Sequence, residues 1–218
     1  MKISAVLFDL DETLHDKTAT LTRMADLQFH HFDLGARAVD PAGWRGDYVR
    51  LNHRHIPKIE VFEMLTHRHD LPPSLTDSLL AHYDGTCGEQ AQPFPGARET
   101  LERCQAAGLA IGCVTNGRDH MQRSKLAGLG LTGFFGSIVT SGGFGRKKPD
   151  PAIFQHCLQE LGAEPSQAAF VGDSFSADME PALALGMQAI WKSDRTDARV
   201  VCASDSLAEI GRRLLSLI

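Results

Sequence analysis

Residues 3–8 read Ile-Ser-Ala-Val-Leu-Phe, an apolar run that is short, partly β-branched or aromatic, and not alternating. Such a run predicts a strand buried on both faces, as in a parallel sheet. From Phe94-Pro95-Gly96 onward the pattern switches repeatedly between helical and strand spacing. Residues 97–107 carry Leu101, Cys104 and Ala107 at helical spacing and end at Gly108, a C-terminal glycine stop. Residues 109–114 then read as a buried strand, 119–129 as a helix and 137–140 as a short strand. Asp150-Pro151 supplies an N-cap and a first-turn proline for a helix whose apolar face is Ile153, Phe154, Cys157, Leu158 and Leu161. A strand at 168–171, a helix ending near Gly186 and a strand at 187–191 follow. Ser206-Leu207-Ala208-Glu209 is a capping box opening a last helix. Repeated strand–helix units predict an α/β fold, a parallel sheet with helices on both faces.

Residues 16–90 follow another rule. Leu21, Met24, Gln28 and Phe32 mark one helical face, and Trp44, Tyr48, Leu51 and His55 a second. Val61, Phe62, Leu65 and His69 mark a third, and a fourth helix with Leu75, Leu79 and Tyr83 is read as capped by Ser74-x-x-Asp77. No strand pattern occurs in this stretch. The expectation is a helical bundle inserted after the first strand, with hinge segments near residues 14–20 and 91–96.

Bulk properties narrow the function classes. With 218 residues, 43% hydrophobic and 22% charged, the chain has material for a real core. A net charge of −5 argues against nonspecific binding to nucleic acid or anionic membrane, while leaving small anionic substrates open. Cys87, Cys104, Cys113, Cys157 and Cys202 are odd in number and widely spaced, which suits a reducing compartment better than a disulfide framework or zinc site. The N-terminal apolar run stops at Asp9, too early for a signal-peptide core, and no stretch reaches membrane-spanning length, so a cytoplasmic location is expected.

Chemistry gathers where the strands end. Asp9-Leu10-Asp11-Glu12-Thr13 closes the first strand, at the edge where open α/β sheets collect ligands. Two carboxylates so close are costly unless a cation or a proton separates their roles, although an Asp/Thr turn or N-cap fits the same residues. Thr115-Asn116-Gly117 follows the second strand, Lys147-Lys148-Pro149 precedes a helix, and Gly172-Asp173 with Asp178 follows the 168–171 strand. Each has an ordinary reading as a turn or helix entry. Together they put carboxylates, a hydroxyl, an amide and a cation at one sheet edge. That set suits an oxygen-ligated Mg²⁺ and the oxygens of a phosphoryl group.

Those four motifs, in that order, resemble the haloacid dehalogenase-like hydrolase superfamily, of phosphatase type. The resemblance spans the whole chain and implies a Rossmann-like parallel-sheet core over residues 1–15 and 94–218, with an all-helical, mobile cap over 16–93. It implies Asp9 as nucleophile and metal ligand, and Asp11 as acid and base whose backbone carbonyl also meets the metal. Thr115, Asn116 and Lys148 would bind phosphoryl or substrate oxygens, Asp173 would bind Mg²⁺, and Asp178 would support the metal or Lys148. Pro149 favours Lys148 over its neighbour Lys147. The second aspartate separates this chain from the family's dehalogenases. Its absence of further cap lysines, beyond Lys17 and Lys58, separates it from the phosphonatases.

The implied function is a Mg²⁺-dependent phosphomonoesterase acting on a small phosphorylated metabolite through an aspartyl-phosphate. A phosphomutase of the β-phosphoglucomutase type and a non-catalytic phosphometabolite-binding protein are the alternatives. Within the helical insert, Arg45, Arg50, Arg54 and Lys58 make a basic stretch. Arg50 and Arg54, at i,i+4 spacing, are candidates for substrate specificity, against the reading of a solvated helix face. His53/His55 and His67/His69 alternate, so neither pair forms an i,i+4 metal site. His15, beside the first motif, is a candidate substrate contact.

Overall fold

The computed structural model describes residues 2–54 and 56–218. The chain divides into two compact units, Met1–Asp16 with Pro93–Ile218, and Lys17–Gln92. In chain order, β1 (Ala5–Phe8) opens the first unit, and the second holds α1 (Lys17–His31), α2 (Pro41–Asn52), α3 (Lys58–Arg68) and α4 (Leu75–Thr86). The first unit resumes with α5 (Ala97–Ala106), β2 (Ala110–Thr115), α6 (Asp119–Gly128), β3 (Ser137–Thr140) and the short α7 (Ser141–Phe144). It continues through α8 (Pro151–Leu161), β4 (Ala168–Gly172), a π-helical turn (Phe175–Met179) leading into α9 (Glu180–Ala184), β5 (Gln188–Trp191), β6 (Cys202–Ala203) and α10 (Leu207–Leu215).

The strands form one sheet in the order β3-β2-β1-β4-β5-β6, with every neighbouring pair parallel. β1 and β4 are buried along their whole length, as unbroken apolar runs predict for central parallel strands. One sheet face packs Leu7, Val114 and Phe170 against Ile153, Phe154 and Cys157 of α8. The rings of Phe154 and Phe170 stand 4.9 Å apart. Gly112 on β2 permits this approach, because a Cβ there would lie 2.5 Å from the Cys157 sulfur and 3.1 Å from Leu161. The edge strand β6 has no counterpart in the sequence reading. Two half-buried residues are too few to show a period.

Local capping follows the sequence in some places and departs from it in others. Asp150 accepts from the Ala152 amide at 2.9 Å, and Asp40 caps α2 through the Gly43 amide at 2.6 Å. Ser206 caps α10, but Glu209 turns to the Ser204 hydroxyl at 2.8 Å, so only half of the capping box forms. Ser74 makes no side-chain cap to α4. The Pro72-Pro73 turn already accepts the Leu75 and Thr76 amides, and Ser74 itself is helical, which removes the geometry its hydroxyl would need.

The helical unit has its own core. Trp44, Tyr48, Leu65, Phe62 and Leu79 are fully buried, and the rings of Trp44, Tyr48, Phe62 and Tyr83 form a chain with centroid spacings of 5.7, 5.9 and 5.7 Å. The aromatic stripe of α2 is therefore packing. Gln28, the polar interruption on α1, is buried and donates to the Leu79 carbonyl at 2.7 Å, tying α1 to α4. His55, the last member of the predicted α2 stripe, lies outside the described residues.

Candidate active site

The chain runs from β1 to β2 and β3 on one side of the sheet, then crosses to β4 on the other. The carboxyl ends of β1, β2 and β4 therefore surround the point where strand order reverses, the usual ligand crevice of open α/β sheets. Phe8 aligns with Cys113 on β2 and Val171 on β4, so the residues that follow all emerge at this edge. Asp9 extends the ladder by one bond, its amide donating to the Val171 carbonyl at 2.9 Å. Asp173 leaves β4 beside it, and its carbonyl accepts from the Trp191 indole at 2.7 Å. Asp178 sits on the π-helical turn, where its Oδ2 accepts the Ser174 amide at 3.0 Å.

Lys148 links these groups. Its ammonium is 2.6 Å from Asp9 Oδ1 and 2.7 Å from Asp178 Oδ1, and all three residues are buried. Lys147 is exposed, so the structure separates the two adjacent lysines. The Thr13 hydroxyl donates to the other Asp9 oxygen at 3.2 Å. Carboxylate oxygens of Asp9, Asp173 and Asp178 lie within 4.8 Å of one another. Three acids facing one ammonium leave an excess of negative charge in a largely buried site. Burial pushes the Asp9 carboxyl up to about 8, with Lys148 pulling against it and Asp178 and Asp173 adding to the rise. Asp173 is pushed up to about 6 by burial and by Asp178. The same excess acts on Lys148: burial disfavours its charge, but Asp9 and Asp178 outweigh that and hold it protonated. An oxygen-only donor set with surplus negative charge fits a hard divalent cation. Asp178, assigned by sequence to a supporting position, is itself part of the cluster, with its oxygens already engaged by Lys148 and Ser174.

Asp11 belongs to a second network. The Lys125 ammonium lies 2.8 and 2.9 Å from its two oxygens, His15 Nδ1 is 2.6 Å from Oδ1, and the Gln122 amide donates to Oδ2 at 3.2 Å. Burial opposes the charge, yet Lys125 and His15 outweigh it and hold the Asp11 carboxyl well below the usual carboxylate range. His15 is thus buried and directed at Asp11. Thr115 is buried at the end of β2, its hydroxyl accepting from Gln122 at 2.6 Å. Asn116 uses its side chain on the backbone of Lys148, accepting from the amide at 2.8 Å and donating to the carbonyl at 3.1 Å. It therefore fixes the loop that presents the lysine.

Gln122 and Lys125 were not singled out from the sequence. Their signal was present: on α6 they share the buried face with Met121 and Leu126, where a helix of this pattern should be apolar.

Comparison with known proteins identifies the family. The family model described as haloacid dehalogenase-like hydrolase matches residues 3–186. The chain belongs to the haloacid dehalogenase-like hydrolases. It is an enzyme on the phosphatase side of that family. A glyceraldehyde 3-phosphate phosphatase of Methanothermobacter thermautotrophicus is 30% identical over 201 residues, covering 90% of this chain and 88% of that protein. A phosphoglycolate phosphatase of Nitrosococcus oceani is 30% identical over 220 residues, covering 97% and 96%. Among solved structures, a phosphatase of the same family from Thermococcus onnurineus superposes with a TM-score of 0.64 at 27% identity, covering 97% of this chain and 98% of that one.

In this hydrolase the helical unit carries the two arginines singled out by spacing. They do not share a helix face. α2 ends at Asn52, whose carbonyl and side-chain oxygen accept from Lys58 at 3.3 and 2.7 Å, and Arg54 lies in the turn beyond. Arg50 pairs with Asp47 at 2.6 Å, and Arg54 reaches the Met64 sulfur at 3.3 Å. Both still line one groove of about 840 Å³, together with Glu60, Glu63, His67 and Arg68. Among the described residues, no helix of the hydrolase is long and apolar enough to cross a membrane.

Proposed function

We propose that this hydrolase is a Mg²⁺-dependent phosphomonoesterase of small organic phosphates that works through an aspartyl-phosphate on Asp9. The observation that carries the reading is Asp9 itself, a buried carboxylate at the sheet edge. It lies 2.6 Å from an ammonium and within one cluster with two further carboxylates. A carboxylate needs no base to act as a nucleophile, but it repels a phosphate dianion. Lys148 offsets part of that repulsion. Asp9, Asp173 and the backbone carbonyl of Asp11 would hold the cation, with Asp178 supporting. When bound, Mg²⁺ would neutralise phosphoryl charge and favour in-line geometry.

An Asp9 oxygen attacks phosphorus as the bond to the leaving oxygen breaks, and Asp11 gives that oxygen a proton. The proton arrives with the substrate: the ester bound as its monoanion passes a proton to Asp11, whose proton affinity the resulting phosphate dianion raises. Asp11, now a carboxylate, takes a proton from water as the water oxygen attacks phosphorus and the bond to Asp9 breaks. Both carboxyls are then restored. Thr115 and Lys148 bind the phosphoryl oxygens, with Asn116 contributing through the Lys148 loop.

The helical unit acts as the cap, with Arg50 and Arg54 as its contacts to the leaving group. The relatives are named for phosphates with small aliphatic leaving groups, which supports an alkyl phosphomonoester as substrate. The test is phosphate release from a panel containing phosphoglycolate, glyceraldehyde 3-phosphate, phosphoserine and 4-nitrophenyl phosphate. Turnover should vanish with chelator, return with Mg²⁺, and leave trapped phosphate on Asp9. Full activity in excess chelator, or phosphate trapped on another residue, would refute the reading. Appearance of a phosphate isomer in place of free phosphate would indicate a mutase.

A further inference from the structure

Lys125 is a buried cation on a helix face that otherwise packs apolar side chains. A lysine in such a position is unfavourable unless its charge is matched nearby. Here it is matched by a group of the catalytic edge. Its ammonium sits astride both oxygens of Asp11 at 2.8 and 2.9 Å and donates a third bond to Gln122 Oε1 at 2.8 Å. The amide of Gln122 in turn donates to Asp11 Oδ2 at 3.2 Å and to the Thr115 hydroxyl at 2.6 Å. The network joins a residue after β1 to the last residue of β2 through two side chains of α6. A single contact would leave the Asp11 carboxylate free to rotate about its last bond. With His15 Nδ1 at 2.6 Å from Oδ1, three donors on two segments define its plane.

We propose that Lys125 is a positioning residue that sets the orientation of the Asp11 carboxylate toward the leaving oxygen. Gln122 is its link, registering that orientation against the phosphoryl-binding hydroxyl of Thr115. The proposal rests on the acid–base reading of Asp11 given above. It assigns Lys125 no contact with substrate. A purely structural lysine would affect all substrates alike, whereas a group acting through Asp11 matters in proportion to the help the leaving group needs.

The test compares Lys125→Met, Asp11→Asn and the double variant, each with Mg²⁺. The two substrates are 4-nitrophenyl phosphate and the alkyl phosphate of the panel with highest turnover. Methionine keeps the length of the buried stem and removes the ammonium. Since kcat/KM reports steps up to leaving-group departure, Lys125→Met should lower it by roughly 10²-fold for the alkyl phosphate. For the aryl phosphate the loss should stay within about threefold, because its leaving group needs little protonation. In the Asp11→Asn background, Lys125→Met should add less than about twofold, as expected for residues acting as one unit. Gln122→Met cuts the same network without removing a charge. It should show the same substrate pattern with a smaller loss, so the test stands even where Lys125→Met folds poorly. A leaving-group-dependent loss in Asp11→Asn with equal losses on both substrates in Lys125→Met and Gln122→Met would overturn the positioning role alone. So would fully additive losses in the double variant. Equal losses on both substrates in Asp11→Asn itself would overturn the acid–base reading, and this proposal with it.

Discussion

Lys148→Met should destabilise the metal-free core strongly, and Mg²⁺ should recover much of that loss. The lysine is 4% exposed, and its ammonium stands 2.6 Å from Asp9 and 2.7 Å from Asp178. At an effective dielectric of about 20, each contact is worth about 6 kcal/mol of gross Coulomb attraction. Desolvating the ammonium removes several kcal/mol from that sum. Methionine preserves the length of the stem but removes the ammonium, which also stands 5.4 Å from the centre of the Phe170 ring. What remains is a set of carboxylates within 4.8 Å of one another and no cation among them. Breaking a buried pair in this way costs about 3–5 kcal/mol. For a chain of this size each kcal/mol shifts the midpoint by about 2–4 °C, so the core transition should fall by roughly 6–20 °C. Scanning calorimetry of the chelated variant and parent, repeated across a Mg²⁺ titration, measures both effects. The variant should gain more stability from Mg²⁺ than the parent, since a dication replaces the missing charge. A variant as stable as the parent in chelator, with no greater response to Mg²⁺, would refute the account of the cluster as an excess of buried negative charge.

Two further outcomes follow from the helical unit. Burial works against the charge of Asp47, but Arg50 and Arg68 together outweigh it and hold the carboxyl below the usual carboxylate range. Because its folded pKa is depressed, its contribution is present above the unfolded value of 3.8 and fades as pH falls through the lower folded value. Asp47→Asn should therefore cost about 1 kcal/mol or less at pH 7, the arginines being more than half exposed. Denaturant titrations of parent and variant should converge once the pH has fallen below the folded value, and a difference that persists there would place its origin outside the ion pairs. Arg50→Ala and Arg54→Ala should lower kcat/KM for the natural alkyl phosphate by about 1–3 kcal/mol while leaving acetyl phosphate turnover nearly unchanged. Unchanged kinetics on both substrates would return the two arginines to a solvated surface role.

Five of the six strands were legible in the sequence, because burial on both faces leaves an unbroken apolar run whose end marks the ligand edge; β6, with two half-buried residues, was not. Asp9, Thr115 and Asp173 follow from those ends, whereas Lys148, ahead of a helix, is told from Lys147 through the family resemblance. The helical insert was equally plain, since its periodicity lacks any strand. Tertiary structure decided how the polar groups at the edge are shared. Lys125 and Asp11 are 114 residues apart, and no local pattern states that one buried lysine answers one carboxylate. The same holds for Asn116, whose side chain holds the Lys148 loop, and for Asp178, which joins the acidic cluster only because the π-helical turn brings it back toward Lys148. Arg54 left the helix face its spacing suggested because Lys58, from beyond the helix, closes the end of α2. Hydrophobic periodicity encodes which side of an element meets the core. Partner choice among buried charges is set by distances across elements, which exist only after the sheet and α6 have packed.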